Sequence, residues 1–207
     1  GARVSLYVGL LSVLIGTTSG AALGLVSAYF GGRVDAAIQR VMDVLMTFPT
    51  LILALAVVAA LGPSVNNVVI AVAIVQIPRA SRVVRSAALG VKGRQYIEAA
   101  RAIGAADARI LVRHMAPNCL APYVIIATAD IATAILTEAS LSFLGLGPPP
   151  PTPTWGGMLT GASRQFLQKA PWMAIYPGLA ISLAVFAFNL LGDAVRDVFD
   201  PRLKGAT

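Results

Sequence analysis

Gly93-Arg94-Gln95-Tyr96-Ile97-Glu98-Ala99-Ala100-Arg101-Ala102-Ile103-Gly104, running on to His114-Met115-Ala116-Pro117, is a charged, helix-prone island in a greasy chain. Of the 207 residues 57% are hydrophobic and only 12% charged, and the mean hydropathy is +0.78. Soluble domains carry about 25% charged residues, so this is an integral membrane protein, and the island is the part that must sit in water. Ala99, Ala100 and Ala102 are strong helix formers of little bulk, so a partner surface can come close. Glu98 and Arg101 stand at the i,i+3 spacing of a surface ion pair. Gly104 supplies the left-handed residue that ends a helix. Asp107 then falls in the first turn of a second helix, where its charge suits the dipole. That helix has Ile110, Leu111, His114 and Met115 as its apolar stripe. Pro117 and Pro122 are expected to break the chain as it re-enters the bilayer.

A spanning helix needs about 20 mainly apolar residues. Five segments qualify: Val4 to Phe30, Val41 to Leu61, Val65 to Ala88, Leu120 to Leu144 and Trp172 to Leu191. The second ends at the breaker Gly62-Pro63-Ser64. The third carries Arg79, Arg82 and Arg85 after Pro78, read as arginines that snorkel from the cytoplasmic end. Trp172 and Tyr176 suit an interfacial belt. The predicted fold is an all-α membrane bundle forming one domain over residues 1–207.

Between the third and fourth segments Arg79, Arg82, Arg85, Lys92, Arg94, Arg101, Arg109 and Arg113 face only Glu98 and Asp107. The positive-inside rule makes this side cytoplasmic. Alternation puts Gly31 to Arg40 and the tail after Gly192 inside, in keeping with Arg196, Arg202 and Lys204. It puts Gly62 to Asn67 and the loop Gly145 to Pro171 outside. It also starts the chain outside, which predicts a further N-terminal helix and six spans in the parent protein. The net charge of +7 needs no nucleic acid, since its cations gather in that one segment.

Cys119 and His114 are the only residues of their kinds, so neither an internal disulfide nor a Cys/His metal cluster is available. No phosphate-binding G-x-x-x-x-G-K-[ST] loop occurs, and no serine has a partnered base, so no catalytic set is expected. Gly16, Gly20 and Gly24, flanked by Ser12, Ser27 and Ala28, fall on one helix face, the pattern that lets another backbone approach closely.

Glu98-Ala99-Ala100, three residues, Gly104, nine residues, then His114-Met115-Ala116-Pro117 resembles the EAA loop of permease subunits in bacterial ATP-binding-cassette importers, written EAA-x3-G-x9-I-x-L-P. His114 stands in place of the isoleucine and Ala116 in place of the leucine. Arg113-His114 before Pro117-Asn118 is similar to the dipeptide, oligopeptide and nickel branch. So are Gly1-Ala2-Arg3-Val4-Ser5-Leu6, the stretch from Gly31 through Asp35, Arg40 and Asp43 to Phe48-Pro49, Glu138 to Gly147, Pro151 to Gly156, and Phe188 to Asp193.

The resemblance implies a type I (MetI-like) importer transmembrane domain in a bacterial inner or plasma membrane, moving di- or oligopeptides, with nickel as the alternative cargo. It implies a homologous second permease, two cytosolic ATPases that bind ATP and magnesium, and an external substrate-binding protein. Residues 91–118 would be the coupling loop, with Glu98, Ala99, Ala100, Arg101, Gly104 and Asp107 docking the ATPase. An ion-driven secondary transporter predicts inverted repeats, and none is visible.

Ionisable groups at membrane depth default to functional hypotheses. Asp130, near mid-span, is a candidate for the translocation path, binding the amino end of a peptide. Its other reading is a structural hydrogen bond to Ser, Thr or Asn on a neighbouring helix. Glu138, near the outer end, reads as structural or gating, and Asn189 as interhelical glue. The stiff outer loop Gly147 to Gly156 reads as a rigid connector or as a contact for the binding protein.

Overall fold

The computed structural model of the chain describes residues 1–160 and 169–199. Regular structure among them is helical: α1 (Ala2–Phe30), α2 (Gly32–Thr47), α3 (Thr50–Leu61), α4 (Val65–Lys92), α5 (Gln95–Ala102), α6 (Asp107–Arg109), α7 (Leu120–Phe143), α8 (Trp155–Met158) and α9 (Trp172–Phe199). α1, α4, the continuous stretch Asp107–Phe143 and α9 are each long and apolar enough to cross a membrane.

A fifth crossing exists only if α2 and α3 together make one span, and these meet at 95°. The helix expected over Val41 to Leu61 is therefore interrupted. Pro49 is the cause, because its ring disfavours helical geometry in the residue before it. Phe48 is accordingly extended, at φ −85° and ψ 136°. α3 has 12 residues and so covers roughly 18 Å, which leaves the break at membrane depth. The next turn is built as its sequence suggests. Ser64 caps α4 by accepting from the Asn67 N–H at 3.1 Å, and the Asn67 amide donates to the carbonyls of Leu61 and Gly62 at 2.9 Å.

Pro117 and Pro122 do not break the chain. The path stays helical by changing pitch, through a π turn over Ile110–Met115 and a 3-10 turn over Ala116–Cys119. Pro117 opens that tight turn and Pro122 lies in the first turn of α7, where a missing N–H costs least.

α1 and α4 run parallel, joined by the glycine seam. Gly16 lies against Ala73, Gly20 against Ile77 and Ala80, and Gly24 against Ser81. A Cβ at Gly16 or Gly20 would stand 2.5 Å from the carbonyl oxygen of Ala73 or Ile77, so the seam's partner is a helix of this same chain. Apolar packing then forms two clusters. Val8, Val58, Val72, Ile135 and Leu141 belong to the outer one. Ala28, Tyr29, Val84, Ala88, Ile97, Ile110 and Met115 belong to the inner one, which fastens the charged island to the bundle. Leu14, Leu183 and Phe186 remain exposed, as suits helices solvated by lipid.

Candidate functional site

The island folds as a helical hairpin seated on the inner cluster. α5 turns Ile97 and Ala100 inward and leaves Glu98, Ala99 and Arg101 outside. It ends as predicted. Gly104 has φ +76°, its N–H bonds the carbonyl of Arg101, and the Ala105 N–H bonds that of Ala100, which closes a left-handed cap. Asp107 opens the second helix. Within the stripe Ile110 and Met115 are buried, and Leu111 and His114 half-buried.

Two expectations for the hairpin are corrected. Ala100 faces the bundle rather than a partner, because it stands three residues from Ile97 and shares its buried face. Arg101 makes no ion pair with Glu98. Its guanidinium lies 5.0 Å from the centre of the Tyr29 ring, a cation–π contact. The Tyr29 hydroxyl donates to Asp107 Oδ1 at 2.5 Å, and Lys92 Nζ donates to the Ala28 carbonyl at 3.0 Å. Sequence reading also missed Ile103 and Val112, which are 85% and 72% exposed. Large apolar side chains on a water-facing hairpin mark a contact surface.

Arg79, Arg82 and Arg85 do not snorkel away from the bundle. Their three-residue spacing puts them along one face of α4, and each takes an aspartate from another element. Arg79 Nη1 donates to Asp130 Oδ1 of α7 at 2.8 Å, and Arg82 to Asp43 of α2 at 2.5 Å. Arg85 clasps both oxygens of Asp35 at 2.6 and 2.5 Å. Ser27 also donates to Asp35, and Gln39 to Ser27 at 3.0 Å. The partner of Asp130 is thus an arginine rather than a Ser, Thr or Asn.

Beside that pair a cavity of about 220 Å³ opens among α4, α7 and the α2–α3 break, lined by Gln76, Arg79, Asp130 and Thr133 with Phe48 and Thr50. On the other flank of Arg79 a groove of about 360 Å³ is bordered by Asn189, Asp193 and Arg196. Arg79 therefore separates Asp130 from Asn189. Asn189 is exposed and makes no hydrogen bond to another helix among the described residues, so the interhelical link expected of it is not formed.

Glu138 lines neither space. It is fully buried at the outer end of α7 and accepts from Ser142 at 2.7 Å through Oε1, while Oε2 has no hydrogen-bond partner. The Trp155 N–H donates to Ser5 at 3.1 Å, and Thr154 caps α8 through the Gly157 N–H at 3.0 Å. Ser5 thus ties α1 to the start of α8, while the hydrogen bond of Glu138 stays within α7. Trp155 is folded against the outer cluster rather than standing at a loop tip. The rest of the outer loop at 161–168, and Arg202 and Lys204 of the tail, lie outside the described residues.

A bundle of membrane-length helices with a charged hairpin at one end and a largely apolar cavity that holds Gln76, Arg79 and Asp130 has the make-up of a transporter's transmembrane subunit. Residues 20–205 match the family model for the binding-protein-dependent transport system inner membrane component, and the chain belongs to that family. The dipeptide transport system permease protein DppC of Alkalihalophilus pseudofirmus is 46% identical over 204 residues, covering 99% of this chain and 67% of that protein. The glutathione transport system permease protein GsiD of Pectobacterium atrosepticum is 50% identical over 204 residues, with the same coverage of 99% and 67%. A chain of the MetNI methionine ABC transporter in an inward-facing conformation superposes with a TM-score of 0.74 at 17% identity, over 97% of this chain and 94% of that one. The fold is that of a MetI-like importer subunit, and the chain is a multi-pass protein of the cell membrane.

Proposed function

We propose that this chain is a permease subunit of an ATP-driven importer carrying di- or oligopeptides delivered by an external substrate-binding protein. A homologous second permease completes the path. Two cytosolic ATPases hold the ATP and magnesium and dock on the hairpin within residues 91–118, so this chain performs no covalent chemistry. Glu98, Ala99, Arg101, Ile103 and Val112 form the docking face, while Gly104 and Asp107 set its shape.

The observation that carries the reading is the pairing of an exposed apolar tip with a rigid root. Ile103 is 85% exposed, while Ile97 and Ile110 are fully buried in the bundle. A lever needs both a surface for the motor and a stiff connection to the load, and ATPase closure then moves α1 and α4 as one body. The peptide cargo is supported by relatives named as dipeptide and glutathione permeases.

Reconstitution tests the reading. Proteoliposomes holding the assembled importer are expected to accumulate peptide only with ATP and the binding protein present. Uptake driven by an ion gradient without ATP would contradict it.

A further inference from the structure

Around the mid-depth cavity the bundle leaves two buried polar side chains unfinished. Gln76 is 6% exposed and Asp130 2%. Neither amide atom of Gln76 has a hydrogen-bond partner, and neither has Asp130 Oδ2, while Oδ1 is held by Arg79. Buried polar groups without partners are destabilising; Gln76 and Asp130 both line this cavity, where a polar visitor that reached their shielded atoms would supply the partners the bundle withholds. The backbone points the same way. Chain at membrane depth leaves its helix only where it is buried in protein or lines a cavity, and Phe48 and Thr50 of the break line this one.

The unpartnered groups define the visitor. A carboxylate oxygen with free lone pairs takes N–H donors, cations most strongly. A glutamine amide offers an acceptor and two donors side by side. In an extended peptide the N–H and C=O of one residue point the same way and exchange hydrogen bonds as a pair. A cation for Asp130 next to such a pair for Gln76 describes the amino end of a peptide, read without reference to its side chains.

Resting on the peptide-importer reading, we propose that this cavity is a transit subsite for the α-ammonium and first main-chain N–H and C=O pair of the cargo. Arg79 is its placeholder, released from Asp130 when the ammonium arrives. The Arg79 side chain is 59% exposed and borders the groove holding Asp193, so a second carboxylate stands on its far side.

The test is equilibrium binding of labelled tri-alanine and N-acetyl-tri-alanine to the detergent-solubilised complex of permeases and ATPases, with the binding protein omitted. Tri-alanine is expected to bind about tenfold more tightly than its acetylated form. Asp130→Asn should weaken tri-alanine about tenfold and abolish that preference, whereas a general structural defect would weaken both ligands and leave the preference intact. Gln76→Met should weaken both forms about equally while the preference persists, and being on another helix it stands if Asp130→Asn fails to assemble. Peptide uptake by the reconstituted wild-type importer separates the two levels. If peptide is carried but the complex shows no saturable binding at millimolar tri-alanine, no preference for the free amine, or no response to either variant, the subsite is overturned and the importer reading stands. If the wild-type importer carries no peptide, the importer reading falls and the subsite with it.

Discussion

Tyr29, next to the last residue of α1, holds Asp107 at the root of the second hairpin helix through a 2.5 Å hydrogen bond spanning 78 residues of chain. The same ring carries the Arg101 guanidinium at 5.0 Å. One side chain therefore ties both arms of the hairpin to the helix that packs along α4. In the proposed lever, force applied to the hairpin would reach the bundle through this point as well as through the inner cluster.

Tyr29→Phe keeps the ring and removes the tie to Asp107. Loss of one hydrogen bond to a carboxylate that water can still reach is expected to cost about 1 kcal/mol, seen as a small drop in melting temperature. The larger effect is expected in coupling, with peptide carried per ATP hydrolysed falling several-fold when both are measured on the same proteoliposomes. An unchanged ratio would mean that the inner cluster alone transmits the motion.

The glycine seam makes a paired prediction. Gly20→Ala places a methyl 2.5 Å from the Ile77 carbonyl oxygen and 2.8 Å from Ala80 Cβ, so the backbones must separate, and stability should fall by about 1–3 kcal/mol. Gly90→Ala, in the same pair of helices, meets nothing within 4 Å. It should be neutral or stabilising by up to about 1 kcal/mol, through reduced freedom of the unfolded chain. Thermal unfolding of the two variants in detergent checks the sign of each.

The arginine ladder should divide by exposure. The Arg82–Asp43 side chains are 46% and 52% exposed, those of Arg85 and Asp35 only 29% and 22%. Removing Arg82 is expected to cost about 0–1 kcal/mol, as for a screened surface pair. Arg85→Met strands a carboxylate that also organises Ser27 and Gln39, and should cost about 2 kcal/mol or more. Arg85→Lys should recover only part of this, because a single ammonium cannot make the two-point clasp. Double-mutant cycles on each pair measure the difference.

Much of this architecture is legible in the residues because the signals are local. Gly104 demands a left-handed cap, and four-residue glycine spacing demands a close helix neighbour. The alternation of apolar and charged segments separates bundle from hairpin. What was not legible depends on partners distant in sequence. Arg79 looked like a snorkelling residue because Asp130 is 51 positions away. Arg101 had a plausible partner in Glu98, and nothing local reveals that Tyr29 competes for it. The α2–α3 break had a local signal in Phe48-Pro49, but the apolar run around it outweighed that signal. Gln76 is one polar residue in an apolar run, and only the fold shows that it lines one cavity with Asp130.

The most direct measurement of the central claim, that the hairpin is the seat of the ATPases, is retention of the ATPase subunits during affinity purification of the permease. Ile103→Asp and Glu98→Lys change the exposed face, and Gly104→Val forces a branched side chain into a backbone at φ +76°. The account predicts that each variant reaches the membrane at wild-type levels, sheds its ATPases on purification and loses peptide uptake. Full ATPase retention with wild-type uptake in all three would contradict it.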